Sequence, residues 1–304
     1  MRNRTSLTLL LCLFLFQQLE AKVRIIVPVF NRPDFIELQY KGLKKFLKDD
    51  FELMLFNDAN RDEMRQEIEQ VCGNLGIMCV RVPQELHNPD PKAPEGSASY
   101  RHGEVLQFAY NNFGVHHDDI VCTMDSDMFM IREFSIRDYL GDYDLNAYYG
   151  WAFTTHFLVL NIPKLKDPET ISFRCRVSPD GDFKDVGHDG YVYIEAHKPE
   201  LKVKQVDILW GIHRDLHIDR KTRVISQLLE KGYTMAEANL VKAIFDATNA
   251  AARQGIGSGD CDIGFYEGNI FLDYKHGSLW TNPNPMMEET KNRIVKQFLH
   301  TLLD

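Results

Sequence analysis

The chain has 304 residues, 44% of them hydrophobic and 26% charged, which is ordinary for a globular protein of one large domain or two small ones. Its 35 basic and 44 acidic side chains give a formal net charge of −9. A nucleic-acid-binding protein would need a basic face, so we predict no nucleic-acid partner.

The first 21 residues have the pattern of a secretory signal peptide. Arg2 and Arg4 precede an apolar run over residues 7–16, in which Thr8 is the one polar residue, and a cleavage site follows at Ala21. The run is short for a bilayer span, although a signal-anchor is the alternative. No later segment predicts a membrane helix. We therefore expect a protein in the lumen of the secretory pathway (ER or Golgi) or exported from the cell, with one domain over residues 22–304.

Strands alternate with helices through the first half of this domain. The pattern predicts strands at 23–30, 51–56, 77–82 and 120–122, with helices between them. Such alternation is typical of an α/β fold with a mostly parallel sheet flanked by helices. The second half is less regular, and its predicted elements are strand material at 147–162, a hairpin at 173–183, helices at 189–197, 220–231, 235–253 and 286–303, and one late strand at 263–274.

Two carboxylates, Asp125 and Asp127, follow the apolar strand at 120–122, separated by Ser126. In an open α/β sheet, ligands lie outside the carboxyl ends of the strands. Two carboxylates at such an end offer the hard oxygen ligands that Mg²⁺ and Mn²⁺ prefer, together with substrate phosphates. The alternative is a simple turn or helix cap, because Asp and Ser favour both.

An Asp-x-Asp motif after an internal strand, preceded by several strand–helix units, resembles the glycosyltransferases of the GT-A type. The resemblance implies a GT-A-type, Rossmann-like single domain, with a nucleotide-binding half at 22–131 and an acceptor-binding half at 132–304. It also implies a metal-dependent, hexosyltransferase-like enzyme that moves a sugar from a UDP- or GDP-sugar to a hydroxyl of an unknown carbohydrate or protein acceptor.

The same resemblance suggests the ligands of the metal ion, Mn²⁺ or Mg²⁺. Asp127 corresponds to the direct ligand, and Asp125 to a residue that reaches the metal through water or binds the ribose. The stretch at 275–280 is similar to the C-terminal element of the family, in which a histidine completes the site; here that residue is His276. Asp273 is the alternative third ligand.

Three further positions match the donor-binding edge of the family. Asp58 follows the second strand, where the nucleobase or ribose is bound, and Asn31 follows the first strand. Arg101 begins the helix before the central strand, and arginine suits bidentate phosphate recognition. The adjacent His102 is a weaker candidate. Ordinary turn chemistry or an exposed helix surface would also account for these residues.

An inverting transferase needs a base for the proton of the acceptor hydroxyl. Asp189 lies where the family places that residue, with His188 as second choice and Glu267 as a further candidate. The pair of adjacent carboxylates that is common in the family is absent, so the base and the stereochemical outcome stay open.

Two other functions fit parts of the pattern. Phosphatases of the haloacid dehalogenase type also carry Asp-x-Asp after a strand, but normally on the first strand and followed by small residues. Here the motif is on the fourth strand and Met128 and Phe129 follow it. A catalytically inactive GT-A-like domain that binds carbohydrate or protein is the stronger alternative, because nucleotide sugars are absent outside cells.

Five cysteines remain if the leader is removed, so at least one must be a free thiol or form an intermolecular bridge. Cys72 and Cys79 could close a small loop by a disulfide in an oxidising compartment. The sequence leaves open whether they do.

Overall fold

A computed structural model describes residues 22–87, 98–148, 153–177, 183–209, 224–252, 263–274 and 285–304. The predicted signal peptide or signal-anchor at 1–21 lies outside these ranges. Within them, no helix has the length and apolar character needed to cross a membrane.

The main sheet has seven strands. Numbered in chain order, they are β1 Val23–Val29, β2 Phe51–Asn57, β3 Met78–Arg81, β4 Ile120–Met124, β6 Leu145–Ala147, β7 Phe157–Asn161 and β10 Val203–Gln205. Their spatial order is β10-β6-β7-β4-β1-β2-β3. β1 pairs in parallel with β2 and β4, β2 with β3, and β6 with β10, whereas β7 is antiparallel to β4 and β6. The predicted mostly parallel α/β sheet is confirmed, and β4 is an interior strand.

A second sheet is antiparallel throughout. It contains β5 Met128–Met130, β11 Ile208–Leu209, β12 Ile263–Tyr266 and β13 Phe271–Tyr274, in the order β11-β12-β13-β5. The predicted single strand at 263–274 is wrong, because the chain reverses between β12 and β13. Glu267, Gly268 and Asn269 have positive φ values of 51°, 60° and 73°, which turn the backbone. The predicted hairpin at 173–183 contains the short strands β8 Arg176–Val177 and β9 Phe183–Lys184.

Eight α-helices occur within the described ranges. They are α1 Pro33–Phe46, α2 Asp62–Leu75, α3 Ala98–Ala109, α4 Ile136–Leu140, α5 Gly190–His197, α6 Val224–Glu230, α7 Met235–Ala252 and α8 Pro285–Leu303. A π-helical segment, Tyr110–Gly114, continues α3. α1 has proline in its first turn, where no intrahelical N–H bond is needed. α2 ends at Gly76, whose φ of 67° suits glycine.

Successive residues of the central strands point to opposite faces of the main sheet. Ile25 and Val27 of β1 pack in one apolar cluster with residues of α1 and α2. Ile26, between them, packs in another cluster with residues of α3. Helices therefore cover both faces, as a buried parallel sheet requires.

The cysteines within the described ranges are free thiols. Cys72, at the end of α2, hydrogen-bonds to Cys79 of β3 through its thiol and forms no disulfide with it.

Candidate functional site

The site lies at the edge where the parallel strands β1, β2 and β4 end. Asp58, directly after β2, donates its backbone N–H to the carbonyl of Val29 at the end of β1, at 2.9 Å. Asp125 follows β4 in the neighbouring position of the sheet. The sheet order thus collects polar side chains from three segments that are distant in sequence, as is usual at such an edge.

Asp125, Ser126 and Asp127 form a tight turn that connects the two sheets. The backbone N–H of Met128 donates to the carbonyl of Asp125 at 3.2 Å. The buried amide of Gln39, on α1, donates to the carbonyls of Asp125 and Met128, at 2.8 and 2.9 Å. The turn that the sequence offered as the alternative to a metal site is therefore present, and it directs both carboxylates to the strand edge.

Two histidines flank the carboxylate of Asp125. Nε2 of His102 lies 3.2 Å from Oδ1, and Nε2 of His156 lies 3.5 Å from Oδ2. Burial acts to raise the pKa of Asp125, but the charges of His156 and His102 outweigh it and hold this pKa at about 2.

The pKa of His102 is raised in turn. Burial acts to lower it, but the charges of Asp125, Asp58 and Asp185 outweigh burial. His102 therefore has a charged partner on the motif itself, which its sequence position alone did not reveal.

The electrostatic environment of Asp127 is opposite to that of Asp125. Its side chain is only 8% exposed, and its carbonyl accepts the N–H of Tyr274 on β13 at 3.0 Å. Burial raises the pKa of Asp127 well above its usual value, and the charges of Asp125 and Asp273 raise it further. Asp273 is itself 1% exposed and stands opposite Met128 in the β13–β5 ladder. Asp127 and Asp273 are thus a buried acidic pair within electrostatic range of each other.

The metal ligands suggested by the sequence are only partly within the described residues. Across those ranges, no three carboxylate, histidine or cysteine side chains are arranged to hold one ion. His276 belongs to the segment 275–284, which is outside the described residues. The acidic pair nevertheless fits a hard divalent cation in its chemistry, because carboxylate oxygens are the ligands that such ions prefer.

The donor-edge residues Asp58 and Arg101 contact each other. Nη2 of Arg101 lies 3.3 and 3.4 Å from the two carboxylate oxygens of Asp58, and its guanidinium lies 4.9 Å from the ring centre of Phe30. Asp58 is 2% exposed. Asn31, at a φ of 49°, donates its side-chain amide to Asn60 at 2.8 Å. The structure therefore brings all three residues to the ends of β1 and β2.

Asp189 and His188 lie at the start of α5, as expected. The backbone N–H of Asp189 donates to the carbonyl of Arg174 at 3.3 Å. Arg174 is paired with Glu104 of α3 at 2.8 Å. Among the described contacts, none joins Asp189 to Asp125 or Asp127.

Arg32 and His156 belong to this neighbourhood but were not selected from the sequence. Arg32 is 3% exposed, and its charge acts to lower the pKa of Asp127. A basic residue at the end of the first strand was the available signal. His156 has no comparable signal, because it reaches Asp125 only through the antiparallel pairing of β7 with β4.

No family model matches the chain, and no curated protein sequence does. Solved structures of several glycosyltransferases are similar to parts of it. The galactosyltransferase LgtC in complex with donor and acceptor sugar analogs is 15% identical, with 61% of this chain and 73% of LgtC covered and a TM-score of 0.38.

Two mannosyltransferases are similar over less than half of their own length. Ktr4p from S. cerevisiae is 13% identical, with 42% of this chain and 39% of Ktr4p covered and a TM-score of 0.30. PcManGT from Pyrobaculum calidifontis, solved with GDP-Man and Mn²⁺, is 14% identical, with 47% of this chain and 45% of PcManGT covered and a TM-score of 0.33.

Proposed function

We propose that this protein is a metal-dependent glycosyltransferase that uses a UDP- or GDP-sugar. The observation that carries the proposal is the buried acidic pair, Asp127 and Asp273, at the carboxyl edge of the sheet next to Asp125. Buried carboxylates that repel one another normally bind a cation or take up a proton. The edge also holds Arg101 and Asp58, which suit the phosphate and the ribose or base of a nucleotide.

Asp127 and Asp273 would hold the ion directly, with His276 as the further ligand suggested by the sequence. When bound, Mn²⁺ or Mg²⁺ supplies positive charge against the diphosphate leaving group. Asp125, whose oxygens face two histidines, would act through water or on the ribose. Gln39 keeps the turn rigid, so that both carboxylates of the motif are presented together.

We propose Asp189 as the base that takes the proton from the hydroxyl of the acceptor substrate, with His188 as the second candidate. Its place at the start of α5 supports this role, since it lies beside α3, the helix that carries Arg101 and His102. An acceptor sugar bound between α5 and the motif would bring its hydroxyl to this carboxylate.

Calorimetric titration of UDP and GDP, with and without Mn²⁺, tests the proposal. We expect wild-type protein to bind one of the two diphosphates in a metal-dependent manner. Asp127→Ala should weaken this binding by at least roughly tenfold, because a direct ligand is removed. The matched control is Asp118→Ala, which removes a carboxylate that is 85% exposed and should leave affinity unchanged.

Tight binding without metal, or equal binding by Asp127→Ala, would refute the proposal. Release of UDP or GDP from nucleotide sugars, measured in the same preparations, separates an enzyme from an inactive GT-A-like binding domain. Metal-dependent binding without release from any donor sugar would favour the binding domain.

A further inference from the structure

Arg32 is a rigid and buried cation at the end of β1. Its side chain is 3% exposed, and its guanidinium lies 3.7 Å from the ring centre of Phe35. Nε and Nη2 donate to the two carboxylate oxygens of Asp34 at 2.8 and 2.9 Å. Stacking together with a bidentate ion pair holds the guanidinium plane in one orientation.

The remaining nitrogen of this guanidinium, Nη1, is buried and donates to no acceptor among the described residues. A buried donor without an acceptor is costly, and more so on a charged group. Such a buried group is usually satisfied by a ligand or by ordered water.

Asp34 does not neutralise Arg32 alone, because it is shared with a second cation. Nζ of Lys296, on α8, lies 2.6 Å from Oδ2 of Asp34. One carboxylate therefore faces two basic groups. The charge of Arg32 also acts to lower the pKa of Asp127, so this guanidinium lies within electrostatic range of the acidic pair.

We propose that Arg32 binds the diphosphate of the donor, with Nη1 donating to a phosphate oxygen. The inference rests on the proposed function, since it assigns a subsite of the same ligand. A water molecule could accept the hydrogen bond of Nη1, but a phosphate oxygen would accept it and also bring negative charge to the guanidinium. Asp34, on α1, and Lys296, on α8, are positioning residues, because together they hold the guanidinium of Arg32 in place.

The test compares Arg32→Gln with wild type in calorimetric titrations of UDP and GDP in the presence of Mn²⁺. Arg32→Gln leaves Asp34 paired with Lys296, so no buried carboxylate loses its last partner. We expect roughly tenfold weaker binding of the diphosphate, which is the usual loss for one charge-assisted hydrogen bond. Binding of uridine or guanosine, measured by saturation-transfer NMR, should not change, because these compounds carry no phosphate.

Arg81→Gln is the matched control. Arg81 makes the same kind of bidentate pair, with Glu69 at 2.8 Å for both bonds, but on the edge strand β3 and with 53% of its side chain exposed. Affinity should be unchanged in this variant. Arg32→Lys keeps the charge but loses the planar guanidinium, and it should weaken diphosphate binding less than Arg32→Gln. Lys296→Met should also weaken binding less than Arg32→Gln. Either variant replaces Arg32→Gln in the test if Arg32→Gln does not fold.

The outcomes separate the two proposals. If wild type binds a diphosphate and the Arg32 and Lys296 variants bind it equally well, the subsite is refuted and the proposed function stands. If wild type binds neither UDP nor GDP, the proposed function is refuted and the subsite with it. Equal losses for nucleoside and diphosphate would also refute the subsite, because the defect would then not concern phosphate.

Discussion

Gln39 connects helix α1 to the Asp-x-Asp turn through a single side-chain amide. It is 1% exposed, and its two hydrogen bonds go to the backbone carbonyls at either end of the turn, those of Asp125 and Met128. A buried amide in this position is a structural requirement, because each of these carbonyls would otherwise lose a donor away from water. The turn therefore depends on a residue that is distant from it in sequence.

Replacing Gln39 by leucine should lower the free energy of unfolding by about 2–3 kcal/mol, because two buried carbonyls lose a donor. Urea unfolding followed by circular dichroism measures the effect. Gln66→Leu, at an exposed position of α2, should change stability by less than about 0.5 kcal/mol. Equal stability of wild type and Gln39→Leu would show that the amide is not needed to hold the turn.

At the scale of elements, the approach of α1 to β5 depends on the absence of a side chain at Gly42. A Cβ atom there would lie 2.9 Å from the carbonyl oxygen of Met130, which is closer than van der Waals contact allows. Because the obstacle is backbone, it can yield only if the helix or the strand moves. This contact sets the distance between α1, which follows Arg32, and the strand that follows Asp127.

Gly42→Ala should therefore lower the free energy of unfolding by about 1–3 kcal/mol, as overpacking does. Gly73→Ala is the natural comparison, since Gly73 is also helical but has open space where a Cβ would stand. That variant should gain up to about 1 kcal/mol from helix propensity. Opposite signs in chemical denaturation would support the packing explanation, whereas a gain in both variants would contradict it.

At the scale of the whole molecule, Glu267 joins the turn of the second sheet to the main sheet. Its carboxylate accepts the hydroxyl of Tyr139, on α4, at 2.7 Å and the backbone N–H of Asp207 at 3.1 Å. Tyr139 in turn accepts the amide of Asn146 on β6 at 3.3 Å. These contacts give Glu267 a structural role between the two sheets, apart from the residues that surround Asp125.

This connection should make stability depend on pH. Burial raises the pKa of Glu267 above its ordinary value of 4.5, and the hydrogen bonds from Tyr139 and Asp207 only partly oppose it. A raised folded-state pKa means that the native state binds the proton more tightly than the unfolded state. The contribution of Glu267 to stability is therefore fully present below pH 4.5 and is lost as pH rises through the folded-state pKa.

Glu267→Gln keeps both acceptor contacts but cannot titrate. Urea midpoints of wild type and variant, measured between pH 4.5 and 7.5, should show wild type losing stability relative to the variant as pH rises. A difference that stays constant across this range would mean that Glu267 does not titrate in it.

Local pattern alone determined the elements of the first half of the chain and the place of the carboxylates after β4. Apolar runs and turn residues reveal strands and their ends, and parallel strands bring those ends to one edge. The turn of the hairpin at 263–274 was missed, although Gly268 and Asn269 are residues that favour positive φ and turns.

Only the tertiary structure decided which side chains meet at that edge. The pairing of Asp127 with Asp273, the two histidines on Asp125 and the buried fork of Arg32 all join segments far apart in the chain. Such contacts depend on strand order and on burial, and burial decides whether a carboxylate or guanidinium keeps its ordinary solvation. A single sequence records neither strand order nor burial directly, because both arise only when distant segments pack together.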